Sequence, residues 1–306
     1  MTGGAGFIGS HVAEELLKRG HEVICLDNFD DYYSPVLKES NVAILSRYDN
    51  FRLARGSILD KDLVDRLMVD IDYVFHNAAQ AGVDASIRNP QKTNEVNVIG
   101  GFNVLDAARK CGIKKLINAS SSSVYGQITD LPQREDLPTR PISPYGVSKL
   151  CFEDYCEVYR SIYDLDTVSL RYFTVFGPRM RPDLAISIFT SNAIAGKEIK
   201  IFGDGNKTRD FTYIENIVDA NLRAMERGHG VYNIGGGDEI TIRMLAESII
   251  CLTGSKSSIV FDESRPGDME HTLADISKAK QELEYIPGTS VREGLKKYVE
   301  YVSSNI

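Results

Sequence analysis

The 306-residue chain has no tryptophan, and its five cysteines, five histidines and six methionines are few for its length. The cysteines (Cys25, Cys111, Cys151, Cys156, Cys251) are odd in number, scattered and without a CxxC pair. That excludes a disulfide framework and a zinc ribbon, and reads as reduced thiols of a cytoplasmic protein. The histidines do not cluster, so no metal site is expected. No apolar run approaches the roughly 20 residues of a membrane span, and no basic segment followed by an apolar one opens the chain as a signal peptide would. Positive charge is not in excess: 35 basic against 43 acidic side chains leave a net charge of −8. A sequence-independent nucleic-acid binder needs a basic face, so neither nucleic acid nor membrane is an expected partner. Repeats, low-complexity tracts and long linkers are missing too. What is there is ordinary globular composition, 42% apolar and 25% charged, in a chain long enough to bury a sizeable core.

Short apolar β-type runs alternate with helical patterns. Strands are expected at Glu22–Asp27, Phe51–Ala54, Tyr73–His76, Lys115–Ala119 and Asp166–Arg171. Helical spacing of apolar positions marks His11–Arg19, Lys61–Val69, Asn94–Lys110 and Pro144–Tyr163. This alternation predicts right-handed crossovers and an α/β fold, a doubly wound parallel sheet of Rossmann type. Past residue 174 the rhythm breaks into Gly-rich turns at Gly203–Asn206 and Gly235–Asp238. The expected division is residues 1–174, joined by about 214–235, for the sheet domain, with 175–213 and 236–306 as a smaller α/β lobe. One strand is apparently missing. Only Met1 and Thr2 precede a glycine-rich loop that should follow a strand, so a chain beginning at Met1 is expected to be poorly stable, with unpaired ladder groups.

That loop, Thr2–Gly9, carries Gly3, Gly6 and Gly9 as G-x-x-G-x-x-G. Such glycines permit a tight turn, close approach to a pyrophosphate and tight helix-on-strand packing, while the following helix aims its first amides at the phosphates. Alone the motif also describes an ordinary turn. Its weight comes from Asp27, which ends the next strand about 20 residues on, where an acidic side chain accepts the ribose hydroxyls of NAD and repels the 2′-phosphate of NADP.

Tyr145-Gly-Val-Ser-Lys149 opens a helix after Pro144, placing phenol and ammonium on one face. A neighbouring ammonium favours the phenolate, so the tyrosine can work as a general base. With 15 tyrosines in the chain, one such spacing also arises by chance as an exposed helix pair. The serine run Ser120–Ser123 ends another strand, where ligands of open α/β sheets bind, although a polar loop reads the same way. His76–Gly82 ends a further strand in small residues, and Asn97 sits within a helical pattern where a satisfied core amide is the simpler reading.

Together these segments resemble the extended short-chain dehydrogenase/reductase family, in particular its NAD-dependent nucleotide-sugar epimerases and dehydratases. The signatures are TGGAGFIG at Thr2–Gly9, Asp27-Asn28, HNAAQAG at His76–Gly82, NVIGG at Asn97–Gly101, SSSSVYG at Ser120–Gly126 and YGVSK at Tyr145–Lys149. Later come RYFTVFGPR at Arg171–Arg179, GDGNKTRDFTY at Gly203–Tyr213 and RPGD at Arg265–Asp268. The resemblance implies that Tyr145 is the base on the sugar O4, Lys149 its electrostatic partner, Ser121 a hydrogen bond to O4 and Asn97 a support for the lysine. It implies NAD contacts from Gly3, Gly6, Phe7, Ile8, Gly9, Asp27, Asn28, Ser57, Ile58, Ala78 and Ala79, as well as from Tyr145 and Lys149. Ser57 stands where many relatives have Asp. Arg209 and Arg265 are implied as diphosphate ligands, with Asp268 near the uridine ribose.

The serine run lacks the Asp-Glu pair of the family's dehydratases and the Glu of its decarboxylases. That leaves reversible oxidation at C4, rotation of the 4-keto sugar and reduction of its other face. Thr174–Ala185 and Asp30–Tyr33 resemble uronate epimerases more than hexose epimerases, with Thr174, Ser122 and Ser123 as neutral hydroxyls for a C6 carboxylate and Arg181 closing over the sugar. The expected reaction is therefore conversion of UDP-glucuronate to UDP-galacturonate. Alternatives are a UDP-glucose or UDP-N-acetylglucosamine 4-epimerase, the last because Thr272 replaces a bulky aromatic, and a non-catalytic nucleotide-sugar or NAD sensor. Asp84, where uronate relatives often carry Arg, argues against the uronate. A homodimer through the helices near Phe102–Lys110 and Phe152–Ser161 is implied as well.

Overall fold

The computed structural model describes residues 1–263 and 269–305. The chain runs α1 (Phe7–Lys18), β1 (Val23–Asp27), α2 (Pro35–Leu45), β2 (Phe51–Arg55), α3 (Lys61–Leu67), β3 (Tyr73–His76), α4 (Val83–Arg88), α5 (Pro90–Asn94), α6 (Gly101–Cys111), β4 (Lys115–Ser121), α7 (Pro144–Tyr163) and β5 (Thr167–Tyr172). There follow β6 (Thr174–Phe176), α8 (Ala185–Ile194), β7 (Ile199–Phe202), β8 (Thr208–Tyr213), α9 (Ile214–Glu226), β9 (Gly230–Ile234), β10 (Glu239–Thr241), α10 (Ile242–Thr253), β11 (Ile259–Asp262), α11 (Ser277–Glu282) and α12 (Val291–Ser304).

The main sheet is parallel throughout. β1 pairs with β2, and β3, β4, β5 and β9 follow one another. The slot between β1 and β3 is bridged by one residue, since Thr2 makes parallel bridges to both Leu26 and His76. The expected strands are present within two residues at each end. β4 and β5 are buried along nearly their whole length, as a parallel sheet covered on both faces requires. The later segments build an antiparallel–parallel trio β10-β8-β6 and a parallel pair β7-β11.

Two expectations are corrected. The helix expected at Asn94–Lys110 is three pieces: α5, a π-helical stretch at Glu95–Gly100, and α6. The wider turn shifts the inward face by about one residue and buries Asn97. Helix α2 was not expected, because its buried face mixes polar with apolar residues, Lys38 and Asn41 beside Val42 and Leu45. Val36 and Leu37 face solvent while Lys38 and Asn41 are buried, the latter donating from Nδ2 to the Ala5 carbonyl at 2.9 Å.

Candidate active site

The loop before α1 is set by contacts only glycine allows. Gly3 has φ +67°, and a Cβ there would lie 2.7 Å from the Ala78 amide nitrogen; one on Gly9 would lie 2.2 Å from the Gly3 carbonyl oxygen. Helix α1 then begins at Gly6 with no side-chain cap and no acidic residue in its first turn, so its leading amides and positive dipole end face the adjoining cavity. Asp27, at the carboxyl end of β1, is buried and accepts the Ala5 N–H at 3.0 Å and the Phe29 N–H at 2.9 Å. An uncapped helix start, a cradle closed to any Cβ and an acidic strand end are what a dinucleotide's pyrophosphate and adenosine ribose require, so the residues present fit NAD.

The cavity occupies about 860 Å³ along the carboxyl ends of the main-sheet strands. It is lined by Gly3, Gly6, Phe7, Ile8, Gly9, Asp27, Asn28, Ser57, Ile58, Ala78 and Ala79 at one end, and by Ser121, Ser122, Ser123, Tyr145, Lys149, Thr174, Arg181 and Arg209 further along. Arg265 and Asp268 lie outside the described residues.

Helix α7 positions the phenol and the ammonium. Ser143 caps it by accepting the Gly146 N–H at 3.1 Å, with Pro144 in the first turn. Lys149 Nζ lies 5.8 Å from the Tyr145 ring centroid and donates to the Ala119 carbonyl at 2.7 Å. Burial pushes the lysine down to about 8, opposed by the negative charge of Glu153. Burial also raises the Tyr145 phenol, while Arg181 and a hydrogen bond with Ser121 pull it back. Ser121 is held in turn: its Oγ accepts the Ser123 N–H and donates to Ser123 Oγ, each at 3.1 Å. Asn97 reaches neither Lys149 nor the cavity lining. Its Oδ1 accepts the Gln80 N–H at 2.7 Å and its Nδ2 donates to the Gln80 carbonyl at 3.2 Å and Ser148 Oγ at 2.9 Å, so it fixes the chain after β3 against α7.

On the opposite wall Arg181 forks onto Asp183 at 3.0 and 3.2 Å and stacks 5.4 Å from the Tyr32 ring, whose hydroxyl also donates to Asp183 at 3.0 Å. Arg179, two residues earlier, is ion-paired to Glu14 of α1 and donates to Ser10. Neither arginine is a solvated surface charge. Thr272 is buried and its Oγ1 accepts the Asp210 N–H at 3.3 Å.

Several further lining residues fall in segments noted in the sequence without a role of their own. Tyr32 and Tyr33 belong to Asp30–Tyr33 and Asp183 to Thr174–Ala185, irregular segments whose resemblance was legible but whose side-chain roles no spacing could give. Lys207, just before β8, is buried in the lining two residues ahead of Arg209, inside the GDGNKTRDFTY segment.

Comparison with known proteins adds to this geometry. The sequence profile of the NAD dependent epimerase/dehydratase family matches residues 1–235. A UDP-glucuronate 4-epimerase of Thermodesulfobacterium geofontis is 39% identical over 311 residues, covering 100% of this chain and 96% of that protein. The crystal structure of UDP-glucuronic acid 4-epimerase from Bacillus cereus, in complex with UDP-glucuronic acid and NAD, matches with a TM-score of 0.95 at 37% identity, covering 100% of this chain and 98% of the other. UDP-glucose 4-epimerase from Thermotoga maritima with UDP-glucose matches with a TM-score of 0.93 at 38% identity, covering 99% and 98%.

Proposed function

The chain belongs to the NAD-dependent epimerase/dehydratase family, and on that premise we propose that it is a UDP-sugar 4-epimerase whose substrate is UDP-glucuronate and whose product is UDP-galacturonate. The observation that carries the reading is the convergence of Tyr145, Lys149 and Ser121 on one wall of the cavity that the glycine loop also lines. NAD, when bound, supplies the acceptor that takes hydride from the sugar C4 and later returns it. The chain's own work is proton handling and orientation. Tyr145 takes the O4 proton and gives it back, Lys149 stabilises the phenolate and reaches the nicotinamide ribose, and Ser121 orients O4. Asp27 meets the adenosine ribose, with Asn28, Ser57, Ile58, Ala78 and Ala79 completing the cofactor wall. Residues 175–213 and 236–306 hold the nucleotide sugar, with Arg209, Arg265 and Asp268 at its diphosphate and uridine end.

The uronate is favoured by the hydroxyls of Ser122, Ser123 and Thr174, which line the cavity, and by the ion pair that engages Arg181 with Asp183. Neutral donors hold a C6 carboxylate without locking a keto sugar that must turn over. Asp84 in the same lining favours a second reading, a neutral hexose such as UDP-glucose. Incubating protein and NAD with each UDP-sugar separates them: the C4 epimer of UDP-glucuronate is expected, and its absence overturns the first reading. The active unit is taken to be a homodimer paired through α6 and α7.

A further inference from the structure

Beneath the Tyr145–Lys149 pair lies a charged network that the proposed chemistry does not use. Glu153 sits one helical turn beyond Lys149 on the same face of α7 and is 4% exposed. Arg171 of β5, equally buried, grips it through both carboxylate oxygens, with Nη2 at 2.7 Å and Nε at 3.0 and 3.2 Å. Ser120 of β4 donates to the same carboxylate, and Ser120 immediately precedes Ser121. Behind Arg171, its Nη1 donates to Tyr125 Oη at 2.9 Å, and that hydroxyl donates to Asn233 of β9 at 2.7 Å. The network therefore runs from the catalytic helix through two central strands to β9.

A buried ion pair is a poor source of stability, since well-packed apolar side chains of the same volume do as well or better. Its orientation is the informative feature. Glu153 is the charged neighbour that favours the Lys149 ammonium against burial, while Arg171 is bound over to Tyr125. We infer that Glu153, held by Arg171 and Ser120, is a positioning residue for the reaction: its carboxylate keeps Lys149 an ammonium inside the dry wall, and through Lys149 keeps the Tyr145 phenol able to give up its proton. The inference rests on the proposed roles of Tyr145 and Lys149.

The other groups around this carboxylate do not supply that charge. His76 of β3 faces Lys149, but burial and the lysine itself push it down to about 3, so it is neutral. On α7, Asp154 is raised by burial and by Glu153, and Cys156 is a buried thiol raised well above its ordinary value. Glu135, raised by burial, faces Tyr125 and Arg171 rather than the lysine.

The test uses the NAD-loaded enzyme and two variants. Glu153→Gln removes the charge; Glu153→Leu with Arg171→Met removes the pair together, leaving no orphaned buried cation and Tyr125 still bonded to Asn233. In both, the lysine loses its proton at lower pH and the phenolate is less favoured. The alkaline limb of kcat is expected to move down by about one pH unit, a roughly 10-fold loss above it, with KM changed less than about 2-fold. The Tyr145 ionisation midpoint, read as phenolate absorbance relative to the matching Tyr145→Phe protein, is expected to move up. A profile of wild-type shape in both variants, even one scaled down uniformly, overturns the inference and leaves a structural pair. If Glu153→Gln does not fold, the double variant decides alone. Full turnover in Tyr145→Phe would instead sink the functional reading; loss of turnover there with unmoved limbs in the Glu153 variants sinks only this inference.

Discussion

At the scale of single residues, the site depends on a few side chains with little slack. Tyr145→Phe keeps the ring and its packing but removes the only atom proposed to move a proton. NAD binding is expected to persist while kcat falls about 10²–10⁴-fold, measured by titrating NAD and following epimer formation. Asp27 does a different job, because its two carboxylate oxygens each take a main-chain N–H of the loops that border the cavity. Asp27→Ala leaves both amides without that acceptor in a buried place. It is expected to cost about 1–3 kcal/mol in a denaturant melt, besides weakening NAD. The motif residues were readable because turn chemistry and helix spacing are local: three glycines and an i,i+4 pair state their geometry in a few positions. Asn97 shows the limit. Its identity stood out, yet its partners are 17 and 51 positions away, and no local pattern specifies Gln80 or Ser148.

At the scale of elements, α7 was legible to the residue, since Ser143, Pro144 and a long apolar stripe all agree on where it starts. Ser143→Ala is expected to lower stability by about 1 kcal/mol through the lost cap, read as a shift in a thermal melt. Helix α2 escaped because its inner face mixes the apolar Val42 and Leu45 with Lys38 and Asn41, which bond to loop carbonyls that only the folded chain brings there. The π-helical stretch escaped because an inserted residue looks like a continued helix until its partners are known. Among the later segments the organising group is Asp210 of β8, a fully buried carboxylate that accepts the amides of Gly236, Gly237 and Ala274 and the Thr212 hydroxyl. Burial outweighs those bonds and pushes it up to about 6 from an ordinary 3.8. The folded state thus holds this proton more tightly than the unfolded one. Asp210 contributes most below pH 4, and that contribution fades as pH rises through about 6, by about 3 kcal/mol at most. Relative to Asp210→Asn, the wild-type protein is expected to gain stability as pH falls from 7 to 5; equal slopes for the two in a pH series of melts would contradict this.

At the scale of the whole molecule, the main sheet brings the glycine loop, the serine run and α7 together at the carboxyl ends of its strands, and the later segments close the cavity opposite them. The opposite, outer side of α7 is left apolar. Val147, Tyr155, Val158 and Ile162 recur at helical spacing and are between 37% and 68% exposed, with Phe102 of α6 5.7 Å from Tyr155 between ring centroids. Four such side chains from each of two copies, already about half buried, would gain roughly 6–12 kcal/mol on burial, of the same size as an association cost of about 4–15 kcal/mol. Gain and cost are close to balance, which makes pairing through this face sensitive to a single charge. Val158→Glu puts one carboxylate from each copy into the same contact, adding desolvation and like-charge repulsion to the lost apolar area. In sedimentation at micromolar concentration the wild-type chain is expected to run as a dimer and the variant as a monomer. Because α7 also carries Tyr145 and Lys149, the monomer is expected to melt earlier while the cavity, on the other side of the helix, still accepts NAD. A wild-type chain that stays monomeric at that concentration would show that this face has another use.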